Sequence, residues 1–84
     1  MTQYDGIKVG ETRTYHECGN RGKVLVLAID HDRQINGQSF TAIKMRALEE
    51  IGGSAMIKPI QKDNEWESDV VNGEGGGYAG WYLE

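Results

Sequence analysis

The sequence predicts an α+β fold, an antiparallel sheet of four to five strands carrying one helix. Three observations predict it. Strand-favouring residues recur in short runs punctuated by glycine and asparagine. No apolar run exceeds six residues, which suits strands better than helices. One stretch, residues 39–51, instead carries apolar residues at helical spacing. A small all-β barrel is the alternative, and the choice turns on that stretch.

The first element is a β-hairpin. Residues 11–18 contain Thr12, Thr14 and Tyr15, all strand-favouring. Gly19, Asn20, Arg21 and Gly22 supply its turn, because glycine and asparagine tolerate positive φ. Residues 23–29 follow as a nearly unbroken β-branched and leucine run. Such a run reads as a strand buried on both faces, at the centre of the sheet.

The next stretch supports two readings. Asn36-Gly37 is a strong hairpin signal. A three-residue loop closed by them sets Ile29 opposite Ile43, Leu27 opposite Met45 and Leu25 opposite Ala47, an apolar face on both strands. The competing reading is a helix over 39–51. Ser39 can cap it, Phe40, Ile43, Ala47, Leu48 and Ile51 recur at helical spacing, and Gly52 suits its end. Residues 44–50 are strong helix formers, although Lys44 interrupts the apolar stripe. The helix is the predicted form, with Ile43, Ala47 and Ile51 buried.

Beyond Gly52-Gly53 the strand pattern returns. Residues 55–61 carry Met56, Ile57 and Ile60, and Pro59 confines them to an edge or a bulge. Lys62-Asp63-Asn64 is a polar turn. Residues 65–71 then alternate, with Trp66, Ser68 and Val70 on one face and Glu65, Glu67, Asp69 and Val71 on the other. The glycine-rich 73–77 reads as a hinge. It leads to Tyr78, Trp81 and Tyr82, too aromatic a stretch for a solvated tail.

Length and composition suit a single compact domain, 1–84, with a small core. At 38% apolar and 26% charged residues, the chain is too apolar for intrinsic disorder. The lone Cys18 cannot form an internal disulfide. The six-residue run Val24 to Ile29 is far short of the roughly 20 residues of a membrane span. The N-terminal Met-Thr-Gln-Tyr-Asp-Gly lacks the basic and apolar regions of a secretory leader, so a cytoplasmic location is expected.

Candidate chemistry is sparse. Asp30, His31, Asp32, His16 and Cys18 are metal-ligand types, but no paired Cys or His spacing holds them, and no metal is expected. No Gly-x-Ser-x-Gly elbow or Cys–His signature supports nucleophilic catalysis. Glu49-Glu50 and Glu65, Glu67 and Asp69 are carboxylate groupings, with little chain to build a cleft around them. The run Gly73-Glu74-Gly75-Gly76-Gly77 contains an acid and lacks a nearby Lys, which argues against a phosphate loop. Neither enzymatic activity nor a cofactor is expected.

Charge distribution is more informative. Residues 1–62 hold nine basic and seven acidic side chains, a charge of +2; residues 63–84 hold six acidic and none basic, a charge of −6. Four of the seven aromatic residues fall in that acidic segment. Spaced carboxylates can compete with phosphates for a basic groove, and aromatic residues dominate binding hot spots. The expected binding surface is therefore Glu65, Trp66, Glu67, Asp69, Glu74, Tyr78, Trp81 and Tyr82. Its expected partner is a basic, nucleic-acid-handling bacterial protein, with no membrane role. In size and charge the chain resembles the small inhibitors made by phages and mobile elements, such as anti-CRISPR and anti-restriction proteins. That resemblance covers no motif; it implies an inhibitory interaction protein acting in a host bacterial cell. The alternative is a small nucleic-acid-binding regulator using Arg13, Arg21, Lys23 and Arg33, disfavoured by the overall charge of −4.

Overall fold

The computed structural model describes residues 6–17, 19–52, 59–72 and 80–84. Within them, five strands form one sheet: β1 (Thr12–Glu17), β2 (Asn20–Ile35), β3 (Gln38–Ala47), β4 (Glu65–Val71) and β5 (Trp81–Leu83). Their spatial order is β4-β3-β2-β1-β5, every pair antiparallel. The first four strands thus meander, and the fifth returns beside β1.

The α+β expectation is corrected: among the described residues there is no helix, and the stretch predicted to be helical is mostly β3. The cause lies in the turn before it. Asn36 and Gly37 both adopt positive φ, 51° and 79°, as a two-residue hairpin turn of the primed type requires. Ile35 then faces Gln38, and the chain is committed to run back along β2. Once paired, its side chains obey a period of two. Ile43, Met45 and Ala47 are buried, Lys44 is exposed and Arg46 half-buried. Lys44, misplaced in a helical stripe, is at home on the outer face. Helix propensities differ by less than about 0.7 kcal/mol per ordinary residue, and burial of one strand face outweighs them.

The register departs from simple alternation. Ile29 faces Ile43, but Met45 faces Val26, and Ala47 faces Val24. The ladder shifts between Val26 and Ala28, and again between Asp30 and Arg33. The first bulge turns Val24 and Val26 fully inward, leaving Leu25 and Leu27 half-buried. At the second, the Asp32 backbone N–H donates to Asp30 Oδ1 at 3.0 Å.

Bulges bend a strand and increase its twist. The consequence is visible where the two ends of the strand order meet. Trp81 on β5 donates its indole Nε1–H to the Asp69 carbonyl on β4 at 3.2 Å. Tyr15 on β1 meets Trp66 on β4 edge-on, with ring centroids 5.4 Å apart. The sheet is rolled into a partly closed barrel, and its inner face is the core. Val24, Val26, Ile43, Met45, Ala47 and Ile51 form its heart, each at most 2% exposed, with Tyr15 and Trp81 at one side. At Gly22 a Cβ would lie 2.6 Å from Ile51 Cγ1, so only glycine lets Ile51 close over the sheet there.

Two expected boundaries also move. Glu17 faces Asn20, so the predicted turn over 19–22 shortens and β2 begins at Asn20; Gly19 has φ 85°. β2 is the central strand as expected, although its two faces differ: Val24 and Val26 are buried while Ala28 is exposed. The expected strand at 55–61 lies mostly outside the described residues; its Ile60 bridges Ile51. β4 has the bounds and the alternation expected of it.

Candidate functional site

Antiparallel pairing puts facing residues on the same side of a sheet, so the outer face can be read row by row. Tyr82, His16 and Arg21 form one row across β5, β1 and β2. Thr14 and Lys23 form the next. Further along, Leu25, Arg46 and Glu65 lie across β2, β3 and β4, followed by Ala28, Lys44 and Glu67, then Asp30, Ala42 and Asp69. The inner face takes Trp66 and Val70 from β4 and Trp81 from β5.

The carboxylates of β4 are brought together as the alternation predicted. Glu65, Glu67 and Asp69 are all exposed. Two of them are engaged within the molecule. Arg46 donates to Glu65 Oε2 from Nε at 2.9 Å and from Nη2 at 2.6 Å. These bonds hold the Glu65 carboxyl below its ordinary pKa of 4.5. Arg33 grips Glu67 as a fork, Nη1 to Oε1 at 2.5 Å and Nη2 to Oε2 at 3.0 Å. Its Nε donates to Asp30 Oδ2 at 3.1 Å, and these carboxylates raise the guanidinium pKa further. Asp69 makes no ion pair with another described residue. Arg46 and Lys44 escaped the sequence reading because a helix was preferred for 39–51. The Asn36-Gly37 signal places both on one face of a strand beside β2, but their pairing with Glu67 and Glu65 follows from the β3–β4 ladder, which no local signal carries.

The aromatic residues divide. Trp81 is 7% exposed and belongs to the core, stacked near Tyr15 at 6.0 Å. Trp66 is half-buried, packs against that core and donates Nε1–H to Ser68 Oγ at 3.2 Å. Tyr82 is 48% exposed and lies on the outer face. Glu74 and Tyr78 lie outside the described residues. The expected surface thus reduces to three carboxylates on β4, with Tyr82 on β5.

The basic cluster expected around the first hairpin is broken up. Arg13 pairs with Glu11 at 2.6 Å, and Arg33 belongs to β4's Glu67. Only Arg21 and Lys23 remain neighbours, beside an open polar cleft of about 460 Å³ lined by Thr14, Arg21, Gly22, Lys23, Glu49 and Glu84. The metal-ligand types also stay apart. His16 stacks on Tyr82 at 4.3 Å and contacts Glu84, whereas Asp30 and Asp32 sit in the second bulge of β2. Among the described residues no three His, Cys, Asp or Glu side chains converge on one point. Cys18 lies outside them.

One network was not anticipated. Thr41, buried, donates to Asn72 Oδ1 at 2.6 Å, and Asn72 Nδ2 donates to the His31 carbonyl and to Ser39 Oγ, both at 2.9 Å. Ser39 Oγ–H in turn donates to Asp32 Oδ1 at 2.8 Å. These bonds tie the end of β4 to the β2–β3 hairpin. No helix among the described residues is long and apolar enough to cross a membrane. Comparison with protein-family models, curated proteins and solved structures finds no match to this chain.

Proposed function

We propose that the protein is a non-catalytic interaction module whose outer β4 face docks on a basic, nucleic-acid-binding surface of another protein. The observation that carries this reading is the ladder of Glu65, Glu67 and Asp69, exposed on one strand at two-residue spacing. The forked Arg33–Glu67 pair is the geometry by which arginine recognises carboxylates, here made by the chain's own arginine. Because such exposed pairs contribute little to folding, a partner's arginines can take over Glu65 and Glu67 at low cost. Asp69 is already open to them. Occupying a nucleic-acid groove would make the module inhibitory, which is the role expected from its size and charge.

The test is capture of partners from a bacterial lysate on the immobilised protein and on Asp69→Lys. The captured partner is expected to be basic, to be displaced by DNA, and to be lost with the substitution. A partner held equally by both proteins contradicts the reading. Reversing all three carboxylates is a poor test, since lysines there would face Lys44, Arg46 and Arg33 and strain the sheet.

A further inference from the structure

The opposite end of the strand order, at β5, β1 and β2, has different chemistry. Tyr82 and His16 stack with ring planes 4° apart, and Arg21 continues their row. Thr14 and Lys23 occupy the next row, at the wall of the cleft. The lining of two cations and two carboxylates is formally neutral, so net charge does not decide what enters; directed hydrogen bonds do. Each carboxylate has one oxygen engaged. Glu49 Oε2 accepts the Lys23 backbone N–H at 2.8 Å, and Glu84 Oε1 lies 3.1 Å from His16 Nε2. The donors are not exhausted. Lys23 Nζ spends one proton on Thr14 Oγ1, at 2.8 Å, and the Arg21 guanidinium, unlike its paired backbone, makes no hydrogen bond or ion pair with another described residue. The cleft offers unspent N–H groups, and across His16 in the same row stands the half-exposed Tyr82 ring, stacked by His16 on one face.

We infer that this cleft, together with the face of Tyr82 turned away from His16, binds single-stranded nucleic acid, a base stacking on that face and the adjoining phosphates reaching past His16 to Arg21 and Lys23. Single strands are held by such pairings of aromatic platforms with cationic side chains, because every base has a π face and every link a charge. A duplex keeps its bases stacked and cannot use the ring. A free nucleotide gains one stack and one phosphate, whereas a strand adds a second phosphate at Lys23. The site shares no residue with the β4 ladder, so it stands or falls separately from the proposed protein partner.

Fluorescence anisotropy of a labelled oligothymidylate, about ten nucleotides long, tests the inference on the intact protein. The strand is expected to bind, while a duplex of equal length and thymidine monophosphate compete poorly. Tyr82→Ala and Arg21→Glu are each expected to weaken binding roughly tenfold or more. Two phosphate contacts predict a slope of about −1.4 in log affinity against log salt. Asp69→Lys, outside the site, is expected not to weaken binding. Circular dichroism shows whether a variant is folded, and the salt slope is read on the unaltered protein whatever the variants do. Absence of binding, equal competition by duplex or monophosphate, or full affinity in both folded variants overturns the inference.

Discussion

Gly22 shows how one absent side chain shapes the barrel. Its missing Cβ leaves room for Ile51, and an added methyl would lie 2.6 Å from Ile51 Cγ1. Gly22→Ala is therefore expected to destabilise the fold by about 1–3 kcal/mol, the usual cost of overpacking. Ile51→Ala removes the clashing carbon, so the double variant should lose less than the two single losses combined. Urea denaturation of the four proteins measures the coupling, and strict additivity would contradict the contact. Tyr15 makes a second residue-scale prediction. Burial first, and its 2.7 Å hydrogen bond to Glu17 second, push the phenol well above its ordinary value of 10. Its folded pKa is raised, so the stability it contributes is complete below the unfolded value and is lost as pH rises. Thermal melts should therefore decline above about pH 10. Tyr15→Phe should flatten that decline; an unchanged alkaline profile would argue against it. Neither residue was singled out from sequence. Gly22 looked like turn chemistry, because its reason for being glycine lies across the core at Ile51.

At the scale of elements, the hairpin of β2 and β3 decides the fold. Gly37 sits at φ 79°, so Gly37→Ala should cost about 1 kcal/mol or more through backbone strain alone, with the β3 pairing retained in the folded fraction. A gain of helical signal in that variant would contradict the assignment of residues 38–47. The same hairpin explains what was legible. The Asn36-Gly37 pair, the central position of β2 and the bounds of β4 could all be read, since each is written in neighbouring residues. The competition over residues 39–51 could not be resolved, because Phe40, Ile43 and Ala47 fit both a helical stripe and a strand. Lys44 and Arg46 favoured the strand only when read together with Glu67 and Glu65, which are distant in sequence. The two bulges left no signal at all; they follow from matching a two-residue turn to the inward faces of two long strands. The ladder of β3 and β4 also gives the acid response. Arg46 lowers the pKa of Glu65, so the stability from that pair is present above about pH 4.5 and fades as pH falls through the lower folded value. Arg46→Gln should reduce the acid-dependent part of the melting shift, and an identical acid profile would show that the pair is not linked to folding.

For the whole molecule, the charge split along the chain becomes a pattern on a rolled sheet. The six acidic residues of 63–84 suggested a strongly acidic surface, and the fold interleaves two of them with Arg46 from the neighbouring β3 and Arg33 from β2 beyond it. Cross-strand neutralisation was not legible because it depends on topology rather than composition. The aromatic half of the expected surface was divided for a similar reason: curling of the sheet takes Trp81 into the core and leaves Tyr82 outside. What remains for a protein partner is the open carboxylate of Asp69 and two more that its arginines can share. The most direct measurement is the salt-dependent affinity of the captured basic partner for the unaltered protein and for Asp69→Lys, both verified as folded. Tight binding at low salt that weakens as salt rises is expected, with at least a tenfold loss in the variant, carried mainly by slower association. Equal affinity of the two proteins across the salt range would contradict it.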